Sequence, residues 1–363
     1  MALQCNKYEC RKLYKECSSI IIIMSEKSKT GGLCGLSNLG NTCFMNSCMQ
    51  LLSHTYELNN VLDTYLSQKR SKCHILSEWN ELRLKLWSGC RSTQPDMFVK
   101  AVHSVAKDDP REFGFATFTQ NDAMEFLLFM LETFHAAMSR EVVMKMQGNA
   151  STAQDKMAVV CFDKIKALYE KDYSDIWSIF GSVHVSQIAT TDGTNILSNT
   201  PEALYTLSVS LPTHIKYPTL IDCIDDYTSV ETLDGENGVI NEATGVKEDV
   251  TKTVRFWSLP KILIVDIKRF NSSNRKKQTP LDFPLSGLDL SEYVVGYRSN
   301  QYVYDLFGVC NHSGGVMGGH YTSFIKPVGG SWYHFNDMLV SPIDETKIVT
   351  PKAYCLFYRK REK

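Results

Sequence analysis

The sequence predicts an α+β fold, and two observations carry that prediction. Up to about residue 171 the apolar residues recur mostly with a helical period, whereas after residue 173 short β-rich segments alternate with Gly, Asn, Asp and Pro turns. Helices first and strands second is the order of an α+β domain. At 363 residues the chain is long enough to bury a substantial core, as one large domain or two ordinary ones.

The clearest helical stripe lies in residues 119–135, where Ala123, Phe126, Leu127, Met130, Leu131 and Phe134 share one face. Thr119, with Asp122 three residues on, reads as its capping-box-like start. In the second half IWSIFGSVHVSQI, ALYTLSVSL, VRFW, KILIVDIKRF, YVYDLFGVC, YTSFIKP, SWYHFN and AYCLFYR read as strands. Residues 262–267 are apolar on both faces except at Asp266, which predicts a central strand. Residues 220–254 are polar and acidic and read as a long hairpin tip or flexible loop. No internal repeat or low-complexity block is present.

Composition narrows the function. The net charge is -1, with 43% hydrophobic and 22% charged residues, an ordinary globular balance that offers no electrostatic case for nucleic acid. Arg275, Lys276 and Lys277 read as a solvated loop. The 12 cysteines contain no CxxC pair. The apolar run at 20–24 is too short for a signal peptide core or a membrane span. A reducing compartment, cytosol or nucleus, is therefore expected, with most thiols buried and inert. Residues 1–31 read as an N-terminal extension, possible disorder included, and Met24 as an alternative start.

The chemistry concentrates in two stretches. In GLSNLGNTCFMNSCMQ, residues 35–50, a polar glycine loop runs into a helix at Cys43. Asn41 or Thr42 suits the N-cap, and Phe44, Cys48, Leu51 and Leu52 form the stripe. A thiol in the first helical turn faces free N–H groups and the positive dipole end, which favour thiolate, so its pKa should fall. Those amides also suit an oxyanion. Cys43 reads equally as a small apolar residue at a helix start, and the local pattern leaves both open.

The second stretch is GGVMGGHYTSFIKPVGGSWYHFNDMLV. A turn centred on Gly329 would put Lys326 opposite Trp332 and Thr322 opposite Asn336. His320 would then lie diagonal to Asn336 on one face, about 7–8 Å apart between backbones and within side-chain reach. A two-residue turn would put them on opposite faces. The chain order Cys, His, Asn is that of papain-like proteases, but His320 lies much further from Cys43 than the usual 130–150 residues or so. A large insertion is implied, for which residues 177–254 are the candidate.

Together these residues resemble the ubiquitin-specific proteases. The first stretch is similar to their cysteine box and GGHYTSF…WYHFNDMLV to their histidine box. QNDAMEFLLFMLE, LPKILIVDIKRF and PLDFPLSGLDLSEYV resemble three further segments, in order, from about residue 32 to residue 360. The resemblance implies a papain-like fold of helical thumb (about 32–172), β fingers (about 173–256) and β-rich palm (about 257–363). It implies hydrolysis of the bond after ubiquitin's C-terminal glycine, with Cys43 as nucleophile, His320 as general base, Asn336 as orienting residue and Asn38 as oxyanion donor. Asp337 matches a second polar position, a stand-in should Asn336 be lost. Gln120, Asp122 and Glu125 match positions near the bound ubiquitin tail, Gly318 and Gly319 would allow close backbone approach to a Gly-Gly tail, and Tyr321 is a further substrate-binding candidate. Asp122 also reads as a helix cap.

Two departures stand out. The second box has Gln-Asn-Asp where Gln-Gln-Asp is usual. The paired CxxC motifs that hold zinc in many fingers are missing, so neither a structural metal nor any cofactor is expected. The expected partner is ubiquitin or its conjugates, met by a monomer. The rival readings are a non-catalytic ubiquitin-binding module and a papain-fold acyltransferase or general peptidase.

Overall fold

The computed structural model describes residues 31–67, 73–241, 245–271, 273, 275–315 and 318–362. The N-terminal extension up to residue 30 therefore lies outside the described residues. A short strand β1 (Gly35–Leu36) leads into helices α1 (Cys43–Ser53), α2 (Tyr56–Ser67) and α3 (His74–Leu86). Strand β2 (Ser92–Thr93) pairs in parallel with β1 and precedes α4 (Asp96–Lys107), α5 (Ala123–Met138), α6 (Ala153–Tyr169) and α7 (Asp175–Phe180). The strand-rich half follows: β3 (Ser182–Thr190), β4 (Ile196–Leu204), β5 (Leu207–Ser210), helix α8 (Leu220–Thr228), β6 (Glu231–Leu233), β7 (Val239–Ile240) and β8 (Lys247–Glu248). Then come β9 (Val250–Ser258), β10 (Ile262–Lys268), β11 (Leu288–Asp289), β12 (Val303–Gly315), β13 (Gly318–Ile325), β14 (Tyr333–Asn336), β15 (Leu339–Pro342) and β16 (Ala353–Lys360).

The main sheet runs β15-β14-β13-β12-β16-β10-β5, with β11 beside β12. Strand β10 sits between β16 and β5, as its run of residues apolar on both faces except at Asp266 predicts. Its residues divide between two cores. Ile262 and Ile264 face the helical half, where they join Phe44, Leu127 and Phe134. Leu263, Val265 and Ile267 face the other side, among Leu220, Ile224, Leu356 and Tyr358. Helix α1 is buried along its whole length between the helices and the sheet. That placement fixes the height of its first residue, Cys43, against β13.

A second sheet, β4-β3-β9-β6, stands apart from the main one. Among the described residues no group of three or more His, Cys, Asp or Glu side chains converges as metal ligands. Strand pairing and a small cluster of Cys161, Val183 and Val185 hold this region. No helix among the described residues is long and apolar enough to cross a membrane.

Three local expectations are corrected. Residues 175–180 form the short helix α7 rather than a strand, with Ile176, Ile179 and Phe180 buried at helical spacing. The polar stretch from 220 opens with helix α8, because Thr219 and Asp222 form a reciprocal capping box and Leu220, Cys223 and Ile224 make a buried stripe. Of the basic triplet, Lys276 donates to the His312 carbonyl at 2.6 Å and Lys277 to that of Leu211 at 3.3 Å, so both dock on the fold instead of floating in solvent.

Candidate active site

Cys43 is the first residue of α1, and Thr42 is its N-cap. The Thr42 hydroxyl does not close the helix end. It accepts from the Leu39 amide at 3.0 Å and donates to Asn38 Oδ1 at 3.3 Å, so it shapes the preceding loop. Asn38 Oδ1 also accepts from the Gly40 and Thr42 amides at 3.0 and 3.2 Å. Asn41 takes a left-handed φ of 55°, a conformation Asn tolerates better than most residues. No acidic side chain stands in the first turn of α1 itself.

Burial pushes the Cys43 thiol above its ordinary value, and the Asp337 carboxylate adds to the rise. The main-chain amides of Tyr321, Phe44 and Cys43 itself pull the other way without winning. The expectation of a lowered pKa is thereby corrected: the first-turn amides reach the sulfur, but 4% exposure costs the thiolate more hydration than they return. Among the described residues no hydrogen bond joins Cys43 Sγ to His320.

The register of the C-terminal hairpin agrees with the sequence expectation. Ser323 pairs with Phe335, Phe324 with His334 and Ile325 with Tyr333, the ladder that a turn centred on Gly329 requires. Gly329 has a left-handed φ of 68°, which suits glycine at that turn. His320 and Asn336 consequently share a face, and His320 Nε2 lies 2.7 Å from Asn336 Oδ1. An amide oxygen accepts, so Nε2 is the donor in this contact and Nδ1 is the ring nitrogen left for another partner. The Cys43 sulfur reaches the amide of Tyr321, the residue next to His320. Cys43, His320 and Asn336 are therefore brought together from the two ends of the domain.

Asp337 is engaged elsewhere. Its Oδ2 accepts from Asn38 Nδ2 at 3.0 Å and its Oδ1 from Asn46 Nδ2 at 2.8 Å. It sits at a φ of 49°, and its carbonyl accepts from the Leu36 amide at 2.9 Å. Asp337 thus clamps the Asn38 loop to α1 and is not poised to replace Asn336 at His320. Asn46, 4% exposed, also reaches the Leu36 and Ser37 carbonyls at 3.4 and 3.3 Å. Sequence reading missed Asn46. Its signal was an amide in the middle of CFMNSCMQLLS, a helix otherwise suited to burial.

Residues 34–358 match the family model described as ubiquitin carboxyl-terminal hydrolase. The chain belongs to that family. Its members are cysteine-type deubiquitinases, so the resemblance to ubiquitin-specific proteases stands. Ubiquitin carboxyl-terminal hydrolase 2 of Homo sapiens is 34% identical over 354 residues, which cover 92% of this chain and 56% of that protein. Its Gallus gallus counterpart is 33% identical over 344 residues, covering 90% of this chain and 93% of that one. Usp2 of Drosophila melanogaster is 32% identical over 365 residues, 96% of this chain but 36% of the fly protein. The chain thus spans about a third to just over half of several of these relatives. Among solved structures, a SAGA DUB module of Ubp8, Sgf11, Sus1 and Sgf73 bound to monoubiquitin superposes with a TM-score of 0.71 at 22% identity, covering 92% of this chain and 70% of that one. That likeness shows the fold, a papain-like α+β architecture.

Within this ubiquitin carboxyl-terminal hydrolase domain the remaining predicted residues separate by role. Asp122 caps α5, accepting from the Met124 and Glu125 amides at 2.7 and 3.1 Å, so the helix starts at Ala123 and not at Thr119. Its other oxygen takes the Tyr354 hydroxyl and, at 3.5 Å, that of Tyr321. Tyr321 is 7% exposed with its ring against His312, so the site meets its main chain rather than its ring. Glu125 is exposed, and its carboxylate makes no hydrogen bond or ion pair among the described residues. Partial burial and then the Asp122 carboxylate raise its pKa. Gln120 Oε1 accepts from the Gly319 amide at 2.8 Å, and its Nε2 lies 3.5 Å from Asn41 Oδ1, so it bridges the glycine strand and the loop before Cys43. A Cβ on Gly319 would meet His312 Nε2 at 2.2 Å, so packing within the sheet already demands glycine there. Gly318 is exposed and has room, with Gln120 Oε1 at 3.9 Å.

Proposed function

We propose that this chain hydrolyses the peptide or isopeptide bond after the C-terminal glycine of ubiquitin, with Cys43, His320 and Asn336 as its catalytic triad. The observation that carries the reading is the meeting of the buried Cys43 sulfur with the main chain beside His320, whose Nε2 is tethered to Asn336. Membership of the ubiquitin carboxyl-terminal hydrolase family supports it.

The steps follow from the geometry. Because burial keeps the sulfur protonated, the proton leaves as the sulfur attacks the glycine carbonyl, and His320 Nδ1 receives it. Asn336 Oδ1 accepts from Nε2 more strongly once the ring is cationic. The oxyanion falls at the start of α1, within reach of the Cys43 amide and the second amide hydrogen of Asn38, whose orientation Asp337 holds. His320 then protonates the leaving lysine amine and the thioester forms. Water, activated by the same imidazole, releases ubiquitin and restores the thiol. Glu125, free of internal partners, pairs with an arginine of the ubiquitin tail, and Gly318 lets the tail backbone pass closely. The protein acts as a monomer in the cytosol or nucleus, without cofactor, nucleic acid or membrane.

The test is hydrolysis of ubiquitin carrying a fluorogenic amide at its C-terminus. Turnover that vanishes in Cys43→Ala and His320→Ala supports the proposal. Ubiquitin binding without turnover in the unmutated chain would instead make it a non-catalytic binding module.

A further inference from the structure

Strand β1 is tied to the catalytic loop on one side and to a second thiol on the other. Cys34 Sγ lies 2.9 Å from Cys90 Sγ, and both are free cysteines. Their approach is fixed by main chain: the Gly35 amide donates to the Arg91 carbonyl at 2.9 Å, and Gly35 pairs with Ser92 in the parallel β1–β2 ladder. Cys34 is buried at 1% exposure, whereas Cys90 is half-buried and also donates to the Lys85 carbonyl at 3.2 Å. We propose that Cys34 and Cys90 form a redox modification site, distinct from Cys43, that closes into a reversible intramolecular disulfide under a peroxide oxidant.

The accessible sulfur reacts first. Cys90 attacks hydrogen peroxide, the O–O bond breaks, and sulfenic acid and one water result. Cys34 then attacks the Cys90 sulfur, the S–O bond breaks, and hydroxide leaves with the Cys34 proton as a second water. The two thiols supply two electrons and the peroxide accepts both. Burial and the neighbouring Cys90 raise the Cys34 thiol, so Cys34 is not the group that peroxide oxidises first, and its attack on Cys90 rests on the contact between the two sulfurs.

The bridge would staple β1 where it matters to the site. The Leu36 amide binds the Asp337 carbonyl, Asn46 binds the Leu36 and Ser37 carbonyls, and Gln50 Nε2 holds the Cys34 carbonyl at 2.7 Å. The cross-link closes a long loop between residues already in contact, so the unfolding midpoint should rise by about 5 °C.

The experiment treats the full chain carrying Cys43→Ala with hydrogen peroxide, blocks free thiols with N-ethylmaleimide and maps peptides without reduction. The expected product is one cross-linked pair containing Cys34 and Cys90, two hydrogens lighter than the separate peptides, lost with dithiothreitol and absent in Cys90→Ser. In Cys34→Ala the Cys90 sulfenic acid should persist and be captured by dimedone at least about tenfold more than with Cys34 present. Recovery of Cys90 only as alkylated or over-oxidised peptide at every peroxide dose overturns the proposal, as does its cross-linking to a different cysteine.

Discussion

Replacing Asn336 with Ala removes the acceptor that His320 Nε2 meets at 2.7 Å and leaves nothing in its place, because both Asp337 oxygens are committed to Asn38 and Asn46. A hydrogen bond from a neutral imidazole contributes about 1 kcal/mol and one from an imidazolium about 2–3 kcal/mol. In the proposed mechanism the ring takes up the thiol proton, so the difference of about 1.5 kcal/mol, roughly tenfold in rate, belongs to the transition state. A ring free to rotate also presents the wrong nitrogen for part of the time, which extends the loss to about a hundredfold. The assay is steady-state hydrolysis of the fluorogenic ubiquitin amide, with affinity measured separately by titration. Turnover should fall by about ten- to a hundredfold with ubiquitin affinity within about twofold of the unmutated chain. In the double variant with Asp337→Ala the losses should multiply, since the two side chains act on different partners. Activity within about twofold of the unmutated chain in Asn336→Ala, collapsing only in the double variant, would show Asp337 standing in at His320 and refute this reasoning.

Other perturbations reach other parts of the account. Asn46→Leu keeps the bulk of a buried side chain but deletes its donor to Asp337; turnover should drop by about tenfold, and a normal rate at a normal unfolding midpoint would exclude the clamp. Iodoacetamide should modify Cys43 slowly at neutral pH and faster as pH rises past 9, because burial lifts the thiol from its ordinary value of 9.0; a rate already at its plateau at pH 7 would show a preformed thiolate. Burial raises Asp266 to about 6 from 3.8, so its ionisation costs stability that is absent below pH 4 and grows as pH rises through 6. Asp266→Asn, which keeps the acceptor for Ser208, should therefore be more stable in urea by about 3 kcal/mol at pH 7 and equal near pH 3.5, with a pH-independent difference arguing against a buried carboxylate. Glu125→Ala should weaken ubiquitin binding by about tenfold with kcat nearly unchanged, and an equal fall in kcat would move Glu125 out of tail recognition.

Much of this architecture was legible because the local and global signals agree. The run at 262–267 could bury both faces only as a central strand, and β10 does so. The hairpin register followed from a single glycine turn, and register alone decides whether His320 and Asn336 share a face. What stayed hidden depended on contacts between distant segments. Helix α8 was concealed by its acidic composition, although Thr219 and Asp222 spell its cap. The effect of burial on Cys43 could not be read locally, because a helix start looks the same in sequence whether the fold leaves it exposed or covers it. Asp337 looked like a spare for its neighbour in sequence, yet its partners, Asn38 and Asn46, lie at the other end of the chain.

The most direct measurement is the intact mass of the chain after mixing with ubiquitin whose terminal carboxylate is replaced by a thiol-reactive group, followed by peptide mapping. A single adduct of one ubiquitin on Cys43, blocked in Cys43→Ala and slowed in His320→Ala, is the predicted result. An adduct on another cysteine, or none despite measurable ubiquitin binding, would contradict the assignment of Cys43 as the nucleophile.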